Sequence, residues 1–211
     1  MSRIELVLGA WVELREGWLA EPVARELEDV LLRDLVWEQR HILLFGKRIL
    51  QPRLIGWAGE LPYRYSGQTL EPRPWPKALE PLCATLHARL AELSGVDFNH
   101  VLINRYRDGK DSMGYHADAE PELGPDPVVA CLSLGQTRGF SLRPHARGSA
   151  QRPMHLPLTQ GSLLIMGGTC QRHYRHAVPR DPHAAPGERI SLTFRRLLSF
   201  RADRNRVPSS E

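Results

Sequence analysis

The chain has 211 residues, of which 42% are hydrophobic and 25% charged, with a net charge of +4 and a pI of about 9.2. These values argue against a mainly disordered chain and predict one globular domain that is large enough to bury a core. The mild positive charge permits a polyanionic partner without requiring one.

The cysteines and the apolar runs indicate a cellular compartment. The three cysteines, Cys83, Cys131 and Cys170, are widely spaced and form no C-x-x-C motif, so neither a disulfide framework nor a structural zinc site is indicated. No apolar run resembles a signal peptide or reaches membrane-spanning length. We therefore expect a cytoplasmic protein in a reducing environment, without a membrane partner.

The N-terminal part predicts a strand, a helix and a turn. Ile4, Leu6 and Leu8 alternate as in a short strand. Between residues 19 and 35 apolar residues recur at helical spacing, which predicts a helix packed on the core. The pattern of residues 36–50 predicts a further strand and turn.

Residues 51–76 are rich in glycine, proline and aromatic residues, which predicts a loop-rich region that could contain a short hairpin. Aromatic side chains on such loops, including Tyr63 and Tyr65, are candidates for gripping a planar ligand. The alternative is that they cover an edge of the core. A stripe of leucines from residue 79 to 93, preceded by prolines and followed by Gly95, predicts an amphipathic scaffold helix.

From residue 97 onward the pattern changes to short strands separated by glycine and proline clusters, which predicts a sandwich or barrel. The predicted strands are residues 101–106, 128–134, 140–143, 162–166 and 190–196.

A histidine and a carboxylate stand two residues apart at His116 and Asp118. In an extended backbone such residues point to the same face, so their side chains would project together. A second histidine would complete the 2-His-1-carboxylate arrangement of non-haem Fe(II) oxygenases. An isolated H-x-D motif is common by chance, and its alternative reading is a solvated surface loop.

Several downstream histidines could supply the third ligand. His176 is the best candidate, because it follows the apolar strand 162–166 and a barrel could bring it across to Asp118. The alternative is a polar surface residue. The full set of candidates is His145, His155, His173, His176 and His183.

Residues 189–195 alternate strictly between polar and apolar side chains. Arginines facing the inside of a barrel would be costly unless they met an anion, and a dicarboxylic acid would use two of them. Asn104 and Tyr106 share one face of another strand and could donate to the same ligand. The alternative is a strand with its polar face in water. The polar positions are Arg189, Ser191, Thr193 and Arg195.

An iron site beside a dicarboxylate pocket is what a 2-oxoglutarate-dependent oxygenase requires. Residues 101–109, 116–120, 176–179 and 189–195 resemble AlkB-like dioxygenases in order, residue type and spacing, over about residues 43–198. The resemblance is closest to the branch that contains the mammalian duplex-DNA alkylation-repair homologues.

The resemblance implies an α+β fold with a mainly β core, a double-stranded β-helix (jelly roll) with supporting N-terminal helices. We expect one integrated domain in which residues 1–96 hold the N-terminal helices and a nucleotide-recognition loop region. Residues 97–200 would form the catalytic jelly-roll core, and residues 201–211 a polar tail.

The resemblance also implies roles for individual residues. His116, Asp118 and His176 match the catalytic iron ligands. Ser191 stands where many members carry asparagine, and its shorter side chain reaches less far. The implied 2-oxoglutarate contacts are Asn104, Tyr106, Arg189, Ser191, Thr193 and Arg195.

Four further positions match residues that contact the substrate. Glu120 matches a carboxylate that reaches the exocyclic amino group of the damaged base. Tyr63 and Tyr65 resemble aromatic residues that sandwich the flipped base against the first iron-binding histidine. Arg138 matches a position near the substrate.

The implied reaction is oxidative demethylation of N-alkylated bases, 1-methyladenine and 3-methylcytosine, in DNA, with RNA left open. It consumes Fe(II)-bound O2 and 2-oxoglutarate and releases succinate, CO2 and formaldehyde. The implied partner is alkylated DNA, and no obligate protein partner is predicted. Basic residues that could contact phosphates are Arg105, Arg107, Lys110, Arg147 and Arg152.

Two other functions stay open at this point. The same chemistry could act on a protein, a lipid or a small molecule, although Glu120 and the tyrosine pair argue against it. The fold could also serve as a non-catalytic binding module, although the intact iron and arginine positions argue against that reading.

Overall fold

A computed structural model describes residues 2–44, 46–65, 67–75, 80–146, 151–183 and 185–199 of the protein. The three helices in these ranges are α1 (Glu21–Asp34), α2 (Glu80–Ser94) and α3 (Cys170–His173). The strands in the first half are β1 (Ser2–Glu5), β2 (Ala10–Arg15), β3 (His41–Leu44), β4 (Lys47–Leu50), β5 (Leu54–Gly59), β6 (Tyr63–Tyr65) and β7 (Gln68–Leu70). The remaining strands are β8 (His100–Tyr106), β9 (Met113–His116), β10 (Val129–Gly135), β11 (Arg138–Pro144), β12 (Met154–Leu158), β13 (Leu163–Gly168), β14 (Tyr174–Val178) and β15 (Arg189–Arg195).

Two antiparallel sheets dominate the fold. The larger has seven strands in the order β1-β2-β13-β10-β15-β8-β5, and the smaller has four in the order β12-β11-β14-β9. Two hairpins, β3-β4 and β6-β7, form separate two-stranded sheets. The prediction of a mainly β fold with few helices is therefore confirmed.

The two faces of the large sheet bury different surfaces. One face packs against α1 and α2 through an apolar cluster that includes Leu27, Leu31, Leu90 and Leu192. The other face packs against the small sheet, where Phe140 and other side chains form a second cluster. Because side chains alternate along a strand, one strand of the large sheet can serve both layers.

Helix α1 shows how the sequence specifies this packing. Proline lies in its first turn, where a missing backbone N–H costs nothing. Ala24, Leu27 and Leu31 are fully buried at spacings of three and four residues, so they form a single apolar stripe against the sheet. The helix ends at Asp34, within the range predicted from the sequence.

The large sheet draws on both predicted parts of the domain. Strands β1, β2 and β5 precede residue 97, yet β2 pairs with β13 and β5 pairs with β8. Strand β5 lies in the region that was predicted to be loop-rich. A Cβ atom at Gly56 of this strand would lie 2.5 Å from the Leu35 side chain. Glycine, which is common in loops, is therefore needed here so that the buried strand can pack closely against Leu35.

Other predicted elements have mixed outcomes. The helix predicted near residues 79–93 and all five predicted core strands are present, whereas β2, β9, β12 and β14 were not predicted. Residues 7–9, within the predicted first strand, form a 3-10 turn. The predicted tail, 201–211, lies outside the described residues. No helix in the described part of the chain combines the length and apolarity needed to cross a membrane.

Gly161 offers a test of how α1 is attached to the sheets. It has a φ of +69°, and an added Cβ would lie 2.3 Å from the backbone oxygen of Leu19. We expect Gly161→Ala to lower the free energy of unfolding by about 1–3 kcal/mol, because a left-handed alanine is strained and the clash involves backbone. Gly139→Ala is the matched control, since a Cβ there meets nothing within 4 Å. Equal stability of both variants in urea unfolding would contradict this account.

Candidate active site

His116, Asp118 and His176 form one cluster between the two sheets. Their ligand atoms all lie within 4.8 Å of one another, and the two imidazole ring centroids are 4.2 Å apart. His116 is the last residue of β9 and faces His176 on the neighbouring strand β14. The prediction that these three side chains meet in space agrees with this geometry.

A β-bulge aims His116 at the cluster. His116 pairs with His176 and Met113 pairs with Val178, so β9 has one more residue than β14 between these pairs. A bulge of this kind lets both Met113 and His116 face inward although they are three residues apart. Asp118 lies just beyond β9, not within a regular strand as the spacing argument assumed.

Specific contacts hold each member of the cluster. The Nδ1–H group of His116 donates to the carbonyl of Gly114 at 2.9 Å, which leaves Nε2 with its lone pair. The ring of Phe140 stacks on His176 with centroids 5.4 Å apart. Gln171 accepts a 3.0 Å hydrogen bond from the Asp118 backbone N–H, and Arg195 donates to Asp118 Oδ1 at 2.8 Å.

The protonation states suit a divalent cation. Burial lowers the pKa of His116 and lowers the pKa of His176 to about 3, so both imidazoles are neutral at neutral pH. Burial alone would raise the pKa of Asp118, but Arg195 and the two histidines bring it down to about 2. Asp118 Oδ2 accepts no hydrogen bond from the described residues and lies 3.8 Å from His176 Nε2. An ionised carboxylate beside two neutral imidazoles fits Fe(II).

A small cavity adjoins this cluster between the sheets. All six predicted 2-oxoglutarate residues line it, together with His116 and His176. The polar face of β15 therefore points into a closed interior, while Ile190, Leu192 and Phe194 pack toward the helices. The six lining residues are Asn104, Tyr106, Arg189, Ser191, Thr193 and Arg195.

Arg189 carries a buried charge that no carboxylate of the described residues neutralises. The residue is 1% exposed, and its Nη2 atom donates to Ser133 Oγ at 2.9 Å. Its Nε and Nη1 atoms have no hydrogen-bond partner among the described residues. The guanidinium lies 5.3 Å from the ring centroid of Tyr106. An unpaired buried guanidinium is costly, so this site fits a carboxylate ligand.

Arg195 differs from Arg189 because it already pairs with Asp118. It lies 5.4 Å from the ring centroid of Tyr63, and its Nε atom has no partner among the described residues. Arg195 thus contacts Asp118 of the His-Asp-His cluster and also lines the cavity. It orients the Asp118 carboxylate whether or not it also contacts a bound acid.

Two other cavity residues have defined partners. Asn104 Oδ1 accepts a 2.8 Å hydrogen bond from Arg53, which leaves the amide N–H groups of Asn104 as donors. Ser191 Oγ lies 3.3 Å from Cys131 Sγ, within the cavity wall. Ser191 is therefore present at the predicted place, with a thiol as its neighbour.

Glu120 is a predicted substrate residue two positions after Asp118, and its carboxyl group interacts with the charge of Asp118. It is partly buried, and burial together with the Asp118 charge raises its pKa. Its Oε2 atom is shielded from solvent and accepts no hydrogen bond from the described residues. Such an acceptor suits a ligand N–H donor.

Tyr63, one member of the predicted aromatic pair, is less exposed than a stacking platform would be. Tyr63 is completely buried, with its ring 4.9 Å from His100 and its hydroxyl group near the Glu120 carboxylate. Burial raises the pKa of Tyr63 well above its usual range. Tyr63 therefore contacts Glu120 from the protein interior. The stacking of Tyr63 on a base stays a prediction. The side chain of Tyr65 lies outside the described residues.

Arg138 lies near the cavity, 5.7 Å from the ring centroid of Tyr106. It is 3% exposed and donates to the backbone oxygens of Asp108, Asp111 and Pro179 at 2.8–2.9 Å. It thereby ties the loop between β8 and β9 to the segment after β14. A substrate contact of Arg138 stays a prediction, because these carbonyls already engage its guanidinium.

The supporting residues were not found from the sequence. Arg53, Ser133 and Gln171 hold Asn104, Arg189 and Asp118 over separations of 51, 56 and 53 residues. Of these three residues, only Ser133 had a sequence pattern that could have indicated its role, because it alternates with Cys131 along β10. In the structure Ser133 pairs with Ser191 of β15.

Two of the five predicted phosphate contacts have carboxylate partners in the structure. Arg105 forms a bidentate pair with Glu188, and Arg107 forms one with Asp111. Lys110 and Arg152 are exposed, and Arg147 lies outside the described residues. A phosphate would thus have to compete with carboxylates at the first two positions.

Comparison with known proteins gives consistent similarities. The model of the 2OG-Fe(II) oxygenase superfamily matches residues 12–195. Alpha-ketoglutarate-dependent dioxygenase alkB homolog 3 of Rattus norvegicus is 41% identical over 203 residues, which cover 92% of this chain and 64% of that protein. DNA oxidative demethylase ALKBH2 of Mus musculus is 37% identical over 188 residues, covering 85% of this chain and 75% of that protein.

The chain spans 64–66% of the length of the alkB homolog 3 proteins that it matches. A solved structure of OsALKBH1 superposes with a TM-score of 0.60 at 18% identity. That superposition covers 92% of this chain and 100% of the other. At this identity the likeness shows a shared fold.

Metal binding tests the cluster independently of turnover. We expect the protein to bind one Mn²⁺ or Co²⁺ ion per chain under anaerobic conditions. His176→Ala should weaken this binding by more than about 100-fold, because losing even an outer-shell partner costs about 10–100-fold. The control is His155→Ala, which removes an exposed imidazole from β12. Equal Mn²⁺ affinity of the two variants in calorimetric titration would refute the assignment.

Proposed function

The chain belongs to the 2OG-Fe(II) oxygenase superfamily and to its AlkB-like branch, and from this premise we propose that it demethylates alkylated bases in DNA. Membership confirms the predicted resemblance and the prediction of Fe(II) and 2-oxoglutarate as cofactors. One observation carries the proposal: the His-Asp-His cluster adjoins a cavity lined by Arg189, whose buried Nε and Nη1 atoms have no hydrogen-bond partner among the described residues, and Glu120, two residues after Asp118, has a buried Oε2 atom without one. The first suits an acidic cosubstrate, and the second suits a base.

Within this proposal His116, Asp118 and His176 hold Fe(II). When bound, the metal with 2-oxoglutarate and O2 supplies the oxidant: 2-oxoglutarate becomes succinate and CO2, and one oxygen atom enters a C–H bond of the methyl group. The hydroxymethyl group on the base nitrogen then leaves as formaldehyde. The protein's contribution is to keep both imidazoles neutral and to fix the Asp118 carboxylate through Arg195.

Arg189 and Asn104 orient the cosubstrate in this proposal. The two free donor atoms of Arg189 would bind one carboxylate of 2-oxoglutarate, and the Asn104 amide would donate to the same molecule. The apolar wall formed by Met166, Val178 and Phe140 excludes water around its methylene groups. The two sheets would then correspond to the halves of a double-stranded β-helix, with α1 and α2 as supporting helices.

Glu120 recognises the damaged base in this proposal. Methylation at adenine N1 or cytosine N3 makes the base cationic and weakens its pairing, so extruding it costs less. The unpaired Oε2 atom would accept from the exocyclic amino group, and the negative charge would favour the cationic base over an unmodified one. Tyr63, buried beneath Glu120, keeps the carboxylate in place.

The test uses DNA strands that carry a single 1-methyladenine or 3-methylcytosine, with the unmodified strand as control. With Fe(II), 2-oxoglutarate and O2, we expect equal amounts of succinate and formaldehyde from a methylated strand. Succinate without formaldehyde on both lesions would reject the proposed substrate and leave an oxygenase with another substrate. Absence of both products would reject the oxygenase itself.

Glu120→Ala separates base recognition from oxidation. We expect formaldehyde release to fall about 10- to 100-fold, the equivalent of one lost charge-assisted hydrogen bond. The slow conversion of 2-oxoglutarate without a methylated strand should change little, because Glu120 does not touch the proposed cosubstrate residues. An equal loss of both activities would contradict its role in recognition.

Arg189→Met tests the cosubstrate anchor. We expect 2-oxoglutarate binding to the Mn²⁺-loaded protein to weaken by about 30-fold or more, because the variant removes one partner of a buried charge pair. Mn²⁺ affinity itself should be unchanged. Arg48→Met removes an exposed arginine of β4 and serves as the control. Unaltered 2-oxoglutarate binding to Arg189→Met would refute this anchor.

A further inference from the structure

The outer face of the small sheet lacks negative charge. Strands β9, β11, β12 and β14 contain no aspartate or glutamate, and their inner face lines the cavity. On the outer face, Tyr115, Arg143 and Arg175 are solvent-exposed. This face therefore presents cations and an aromatic ring on the reverse side of the strands that carry His116 and His176.

Two arginines stand directly opposite each other on this face. Arg143 of β11 and Arg175 of β14 are cross-strand partners. Like charges at such positions repel each other and destabilise the sheet. Neither guanidinium lies within 4.0 Å of a carboxylate of the described residues, and Arg175 Nη2 instead lies 3.2 Å from His145 Nε2. The pair is thus a local excess of positive charge.

Several arginines on other surfaces of the described residues are paired with carboxylates. Arg25, Arg33 and Arg172 each have a carboxylate oxygen within 2.8 Å, although all three are well exposed. The same is true of Arg105 and Arg107 near the predicted phosphate contacts. Arg48, Arg89, Arg152 and Arg180 also lack an ion pair with a carboxylate of the described residues, so the distinguishing feature of Arg143 and Arg175 is that two such arginines stand opposite each other on one sheet face.

Tyr115 gives the two arginines a fixed framework. Its hydroxyl group is 2.6 Å from Ser141 Oγ, so the side chain lies across the sheet over β14. The guanidinium of Arg143 stacks on its ring at 3.7 Å from the centroid. This stacking holds the Arg143 fork in place at a low cost in conformational entropy and leaves its N–H edges available for an anion.

We propose that Tyr115, Arg143 and Arg175 form a docking surface for the phosphate backbone of the nucleic acid whose damaged base enters the cavity. This inference rests on the proposed function, because the same polymer supplies both the base and the phosphates. The fixed, carboxylate-free guanidinium pair matches the charge of neighbouring phosphates.

The position of the surface connects it to the cluster. Tyr115 immediately precedes His116, and Arg175 immediately precedes His176. Strand β9 is the edge strand of the small sheet, so a chain that leaves the cavity can pass around this edge. Only nucleotides some distance from the damaged base would reach the outer face. The surface should therefore favour long strands and make no contact with very short ones.

The experiment compares the double variant Arg143→Gln/Arg175→Gln with the control Arg25→Gln/Arg33→Gln, which removes the same charge from α1. Binding of unmodified single strands of three and twenty nucleotides is measured by fluorescence anisotropy over a range of salt concentrations. For the long strand, the magnitude of the slope of log K against log salt should be about 1.4 smaller in the test variant than in the wild type. Each of the two lost phosphate contacts contributes about 0.7 to that slope. The control slope and the affinity for the trinucleotide should match the wild type.

Four results would overturn the docking surface. These are an unchanged slope in the test variant, an equal change in the control, an equal loss on both strand lengths, and competition by polyglutamate as strong as by the long strand. The last result would indicate an acidic polypeptide partner. Because binding is measured on unmodified strands, it tests the surface even if methylated strands yield no formaldehyde, which would reject only the proposed reaction.

Discussion

The buried ion pair between Arg195 and Asp118 is the interaction on which the site depends. Both residues are at most 2% exposed, and the 2.8 Å hydrogen bond joins the end of β15 in the large sheet to the segment that follows β9 in the small sheet. Removing one partner of such a pair costs about 3–5 kcal/mol, because the other charge is left buried alone. The pair therefore fixes the spacing of the sheets and turns Asp118 Oδ2 toward His176 at the same time.

The rest of the site follows from strands that serve two layers. In β15 the apolar residues pack against α1 and the polar residues enter the cavity, so a single strand supplies core and chemistry. Strands β9 and β14 repeat this logic, with histidines facing inward and Tyr115 or Arg175 facing solvent. The large sheet consequently supplies the cavity with Arg189, whose Nε and Nη1 atoms have no hydrogen-bond partner among the described residues.

The sequence predicts those features that arise from local periodicity. The strict alternation of residues 189–195 predicted an inward polar face, and the H-x-D spacing predicted a shared direction for His116 and Asp118. The sequence did not reveal the bulge in β9, the buried strand β5, or the roles of Arg53 and Gln171, because each depends on contacts between distant segments. Tyr63 and Arg138 lie within reach of the site, but burial and backbone carbonyls occupy them in ways that residue type alone does not indicate.

The proposed reaction removes a methyl group from a base in DNA. The most direct measurement is the intact mass of a strand that carries one 1-methyladenine or 3-methylcytosine, after incubation with the protein, Fe(II), 2-oxoglutarate and O2. The account predicts that the strand loses the mass of one CH2 unit, and that this loss requires each of the three small molecules. A strand of unchanged mass, in a reaction that nevertheless converts 2-oxoglutarate to succinate, would contradict the claim.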